Sequence, residues 1–190
     1  MIVTIVQYIY YFLSHIPSKI IFKSEITIPK NLELKKPIII ISNHNSMLDP
    51  FLLTLLPFSI VRRLIPIYAP TSARYHKNIF ITLLIRPMGS YPIKRWGWSF
   101  EDIFDKTLKD LEKGRTLLIF PEGRIAKRGE KIKAKSGFLF LASKFNTSIL
   151  PIRLIKDKNK VSIKVLKEIN KNHKINDKEA NKIMKKLYNS

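Results

Sequence analysis

A chain of 190 residues, 45% hydrophobic and 26% charged, has enough apolar sequence for one domain with a buried core and is neither disordered nor collagenous in composition. The absence of cysteine excludes disulfides, thiolate metal sites and a cysteine nucleophile. A formal net charge of +21 favours polyanionic partners: nucleic acid, an anionic membrane face or phosphorylated substrates.

Residues 1–22 begin the chain as an apolar run. No basic residue precedes it and no small-residue cleavage site follows, which argues against a secretory signal. Before His15 and Pro17 the run is also shorter than the roughly 20 residues a spanning helix needs. Ile2, Ile5, Val6, Ile9, Leu13 and Ile16 recur at helical spacing, while Gln7, Tyr10, Tyr11 and Ser14 lie mostly elsewhere. That pattern suits a helix lying in a membrane interface and suits a core helix equally. Ile38 to Ile41, after Pro37, is wholly apolar and β-branched, as a strand buried on both faces should be. Residues 50–61, broken at Pro57, and 79–85 are apolar stretches too short to cross a bilayer.

Gly89 to Ile93 reads as a strand entry or an edge, since Pro92 cannot donate to a ladder, and it leads to Lys94 and Arg95. Ser99 with Asp102 makes a capping box, and Ile103, Phe104, Leu108 and Leu111 mark the apolar face of a helix that stops at Gly114. Thr116 to Phe120 predicts the next strand, followed by the loop Pro121-Glu122-Gly123-Arg124. Residues 136–145 predict a helix, and 149–154 and 161–166 predict strands. Ala180, Ile183, Met184 and Leu187 form the apolar side of a basic helix from Asp177 to Tyr188. Strands alternating with helices imply an α/β fold: a single layered domain with a mixed, largely parallel sheet flanked by helices, plus the N-terminal helix. The expected division is an apolar membrane-associating segment at 1–24 and one domain at 25–190.

The polar residues that follow strands are the candidates for chemistry. A histidine with a carboxylate partner is a minimal base, because the carboxylate fixes the tautomer and stabilises the imidazolium. His44 and Asp49 are five apart, about 140° around a regular helix, so they cannot share a helix face. The pair can meet only if His44 lies in a loop ahead of a helix that carries Asp49, and Pro50 suits the first turn of such a helix. Asp49 before Pro50 is also a good N-cap, and Asn43, Asn45 and Ser46 are ordinary turn formers. Ser46 lacks the Gly-x-Ser-x-Gly setting of a nucleophile elbow. Arg95 and Arg124 suit an anionic group such as a phosphate, or simply a solvated basic surface. Glu122 suits positioning of a ligand or of an arginine, and Gly123 suits either a close backbone approach or a turn. His15, His76 and His173 have no evident carboxylate partner, and no metal-ligand cluster stands out.

Asn43-His44-Asn45-Ser46-Met47-Leu48-Asp49 resembles the NHxSxxD (HX4D) motif of the glycerolipid acyltransferase family, typified by 1-acylglycerol-3-phosphate acyltransferases. Gly89 to Arg95 resembles the family's second block, Phe120-Pro121-Glu122-Gly123 the core of its third, and Thr147 to Ile152 its fourth, all in order over residues 37–155. The resemblance implies that His44 is general base on an acceptor hydroxyl, that Asp49 orients it, and that the hydroxyl attacks an acyl thioester directly, with no acyl-enzyme. It implies an acyl-CoA or acyl-carrier protein co-substrate, no other cofactor and no metal. The acceptor would be 1-acylglycerol-3-phosphate or another lysophospholipid, bound through Arg95, Glu122, Gly123 and Arg124. Where the family usually has Thr-Arg-Ser after Phe-Pro-Glu-Gly, this chain has Arg124-Ile125-Ala126, which leaves the acceptor's head group open.

The location expected with that activity is an anionic phospholipid membrane, at the cytoplasmic face of the inner or plasma membrane. Two other classes compete: a non-catalytic basic membrane-binding protein, and a nucleic-acid-binding module built on the basic C-terminal half. The latter lacks stacking residues, since Tyr188 is the only aromatic after Phe145. No nucleic-acid partner is expected.

Overall fold

The computed structural model describes residues 2–93, 99–127, 130, 132–169 and 174–190, and for 100–102 the backbone alone. Its sheet grows from β2 (Ile38–Ser42), every residue of which is buried. Alternation splits this strand between two cores. Ile38 and Ile40 enter one cluster with Leu52, Leu55, Leu56, Val61 and Leu64, while Ile39 and Ile41 enter the other with Leu111, Phe138, Leu139 and Ile183. A strand read as apolar on both faces is therefore the central partition of a three-layer molecule.

Seven strands stand in the order β1-β7-β6-β2-β5-β3-β4. The others are β1 (Lys23–Thr27), β3 (Ile67–Ser72), β4 (Ser90–Ile93), β5 (Thr116–Ile119), β6 (Ser148–Asp157) and β7 (Lys160–Val165). All neighbouring pairs are parallel except β6 with β7, which form an antiparallel hairpin. The sheet is thus mixed and mostly parallel, as the alternation of elements implied. β4 stands last in the order, where Pro92 disturbs no inner ladder. Pro70 and Pro151 lie within β3 and β6.

One face is covered by α1 (Ile2–Ile21), α2 (Asp49–Leu52), the 3-10 turn Leu53–Leu55 and α3 (Phe58–Leu64). The short α4 (Ile79–Ile85) precedes β4. The other face carries α5 (Phe100–Glu112), α6 (Gly137–Lys144) and α7 (Asp177–Asn189). α5 begins one residue after Ser99 and gives way to Gly114, whose amide reaches the Leu111 carbonyl at 2.9 Å. The Asp102 half of the expected capping box, like Lys94, Arg95 and His173, lies outside the described residues.

α1 is attached by its polar side. The Gln7 amide donates to the Ile67 and Met88 carbonyls at 2.5 and 2.7 Å and accepts the Ile67 amide at 2.8 Å. Tyr11 Oη donates to Leu56 O at 3.1 Å, and His15 Nδ1 lies 2.6 Å from Thr54 O. Ile2, Ile5, Ile9, Phe12, Leu13, Ile16 and Ile20 stay exposed on the opposite face. Tyr8 and Tyr11 pack on the core beneath, so the aliphatic stripe faces outward while the aromatic and polar residues face in. Among the described residues, no helix is long and apolar enough to cross a membrane.

Candidate active site

Strand register brings the motifs together. β2 and β5 are parallel neighbours with Ile41 opposite Ile119, so the segments leaving their C-terminal ends run side by side. His44 is three residues beyond Ile41, and Glu122 three beyond Ile119. Glu122 Oε2 accepts the His44 backbone amide at 2.7 Å, and the His44 carbonyl accepts the Ala126 amide at 2.8 Å. The histidine's main chain is therefore held on both sides by the loop after β5. Asn43 fastens the other flank: its amide donates to Leu154 O at 2.7 Å and accepts from Leu154 N at 2.8 Å, tying the end of β2 to β6.

The ring of His44 is oriented separately. Nδ1 lies 3.1 Å from Asp49 Oδ2, and the imidazole stacks on Phe120 with centroids 4.0 Å apart and planes 18° from parallel. Asp49 is 2% exposed, so its charge needs partners. The same Oδ2 accepts the Asn45 and Ser46 amides at 2.7 and 2.8 Å. Asp49 is the first residue of α2, with Leu48 as N-cap, so its carboxylate turns back over the loop that precedes it. This is the loop-to-helix arrangement that the spacing of five required, and Asp49 does not serve as the N-cap. Ser46 Oγ is engaged in the turn, accepting Leu48 N at 3.1 Å. With Nδ1–H donated to the carboxylate, Nε2 is the nitrogen that can take a proton.

Glu122 is a buried carboxyl with both oxygens engaged: Oε1 accepts the Tyr188 hydroxyl and Oε2 the His44 amide. Burial raises its pKa from the ordinary 4.5 to about 7. The His44 amide and Arg124 pull it down, whereas the charge of Asp49 pushes it up. Its contacts support the His44 loop from inside. Gly123 adopts φ +69°, and the nearest atoms to where a Cβ would stand belong to Lys135, at 3.8 to 3.9 Å, so the left-handed turn rather than crowding calls for glycine.

Arg124 is half exposed and paired in fork geometry with Glu130, Nη1 to Oε2 at 2.9 Å and Nη2 to Oε1 at 2.5 Å. That pairing holds the Glu130 carboxyl down at about 2. An anion reaching Arg124 would have to replace Glu130. His44, Asp49, Glu122 and Gly123 thus gather at the ends of β2 and β5, Arg124 borders them with its fork occupied, and Arg95 is outside the described residues. Among the described residues, no group of three His, Asp or Glu side chains is arranged to hold a metal ion.

Sequence reasoning missed Tyr188, Phe120 and the bridging role of Asn43. Asn43 carried a signal, a lone amide directly after a wholly buried strand. Tyr188 carried only a faint one, as the single aromatic in a long basic stretch.

Comparison with known proteins agrees with this geometry. The family model described as Acyltransferase matches residues 23–155. A 1-acyl-sn-glycerol-3-phosphate acyltransferase of Borreliella burgdorferi is 30% identical over 138 residues, 70% of this chain and 52% of that protein. The chain therefore spans about half the length of the curated relative it matches. The crystal structure of the 1-acyl-sn-glycerophosphate (LPA) acyltransferase PlsC from Thermotoga maritima superposes with a TM-score of 0.72 at 16% identity, over 96% of this chain and 76% of that one, and establishes likeness of fold. The chain belongs to the acyltransferase family.

Proposed function

We propose that this chain transfers a fatty acyl group from a thioester donor, acyl-CoA or acyl-carrier protein, to the free hydroxyl of 1-acylglycerol-3-phosphate in phospholipid biosynthesis. The observation that carries this reading is the 3.1 Å contact of His44 Nδ1 with an Asp49 carboxylate already fixed by two backbone amides. A histidine so oriented presents Nε2 as general base. The acceptor's O–H proton passes to Nε2 as its oxygen forms a bond to the thioester carbonyl carbon. The C–S bond then breaks, and the leaving thiolate takes the proton from the imidazolium. The acceptor hydroxyl is itself the nucleophile and the thiolate the leaving group, so no protein nucleophile is needed. Arg95 and Arg124 bind the acceptor phosphate, Arg124 exchanging Glu130 for it, while Glu122 and Gly123 shape the loop beneath.

The site works at a bilayer surface, where a lysophospholipid resides. The exposed stripe of α1 from Ile2 to Ile20 supports this, together with a net charge of +21 that favours anionic lipid. A thioester donor made in the cytoplasm sets the face as cytoplasmic. The stripe would serve a non-catalytic membrane binder equally well, but the positioned His44 and Asp49 favour the enzyme.

The test is an acceptor panel. Purified protein with anionic vesicles is given lysophospholipids of different head groups and either acyl-CoA or acyl-carrier protein, and products are weighed by mass spectrometry. Mass addition of one acyl chain to 1-acylglycerol-3-phosphate is expected. Addition only to another lysolipid would reassign the acceptor, and no addition to any would reject the activity.

A further inference from the structure

The loop carrying Glu122 is braced by the last helix of the chain. α7 is capped by Asn176, whose side chain accepts Glu179 N at 2.8 Å, and it buries Ala180, Ile183, Met184 and Leu187 in the second core cluster. Near its start, Asn181 Oδ1 accepts the Ala134 amide at 2.9 Å, Asn181 Nδ2 donates to Ala134 O at 3.2 Å, and Asp177 Oδ1 accepts Ser136 N at 2.9 Å. That same segment returns to the loop after β5, with Lys135 N donating to Pro121 O at 2.9 Å. Near its end, Lys164 Nζ holds Ser190 O at 2.9 Å, and Tyr188 reaches Glu122 Oε1. The helix is thus fastened along its length, and its one hydrogen bond among these into the site is the tyrosine hydroxyl.

A carboxyl only 3% exposed cannot exchange a lost partner for bulk water. Without the Tyr188 hydroxyl, Oε1 would be unpaired, and the carboxyl would recover a partner only by turning away from the His44 amide. We infer that Tyr188 is a positioning residue which, through Glu122, holds the main chain of His44 and so lets the C-terminal helix set the place of the base. Tyr188 lies beyond residue 155, where the family match ends. The inference rests on the reading of His44 as general base. The imidazole keeps Asp49 and Phe120 whatever Tyr188 does, so losing the hydroxyl shifts the main chain that carries the base, and with it the Glu122 loop, without detaching the ring.

Tyr188→Phe in the full chain tests this, because it removes one oxygen and keeps the ring that packs on the core. The expected result is a kcat about tenfold lower with KM for the thioester donor unchanged, as a small displacement of a base gives. Amide hydrogen exchange at His44, followed by mass spectrometry, should quicken about tenfold, as loss of the acceptor's support implies. Wild-type kcat together with wild-type exchange at His44 would overturn the inference. If the unaltered protein acylates no acceptor, the proposed reaction fails, while the exchange comparison still decides whether Tyr188 holds the loop.

Discussion

At the scale of single residues, the site rests on two buried carboxyls with opposite tasks. Asp49 is solvated by two amides and the imidazole, and this is how a charge survives at 2% exposure. Glu122 has one amide and one hydroxyl, and burial leaves its pKa near 7. A carboxyl raised above its unfolded value stabilises the fold fully below about pH 4.5, and that contribution is lost as pH rises through about 7. From the size of the shift, wild type should lose about 3 kcal/mol relative to Glu122→Gln between those limits, since the amide can still span His44 and Tyr188 without charge. Urea unfolding of both proteins at about pH 4.5 and about pH 8 measures this. A difference between them that does not change with pH would show that Glu122 titrates normally. The His44 and Asp49 pairing was legible in the sequence because helical geometry left one arrangement open. Glu122's partners were not legible, since one is a main-chain amide and the other comes from the far end of the chain.

At the scale of elements, the readable ones had an unambiguous period. β2, β5 and β6 are buried apolar runs, and α5 and α7 have clean apolar faces, so each was legible within a few residues. β1 and β3 were not. β1 reads Lys-Ser-Glu-Ile-Thr because it is the outermost strand at one end of the sheet, with exposed residues alternating with half-buried ones. β3 contains Pro70 and no fully buried residue. Both are specified by their neighbours more than by their own pattern. The turn into β4 depends on one position. Gly89 has φ +93°, its amide and carbonyl bond to Arg86 O and Ala69 N, and an added Cβ would stand 2.3 Å from Ile67 O. Gly89→Ala combines backbone strain with a main-chain clash and should destabilise the fold by about 3 kcal/mol or more. Thermal or urea denaturation at wild-type stability would show that the turn relaxes freely.

At the scale of the whole molecule, α1 was the element whose pattern suited two homes. The structure turns Gln7, Tyr11 and His15 inward and leaves the isoleucine stripe outside, because the main-chain groups of Leu56, Ile67 and Met88, covered by this helix, need polar partners. Ile9→Lys with Leu13→Lys alters only that outer face, so flotation with anionic vesicles should fall severalfold while the circular dichroism spectrum is unchanged. Flotation equal to wild type would detach the stripe from membrane binding. The four ordered motif blocks made the family legible before any coordinates, whereas the convergence of loops after β2 and β5, with α7 behind them, needed the strand order. The most direct measurement of His44 as base is the turnover of 1-acylglycerol-3-phosphate and acyl-CoA by wild type and by His44→Ala on the same vesicles. A fall of about a thousandfold or more is expected for the loss of a general base, and a variant within tenfold of wild type would contradict the assignment.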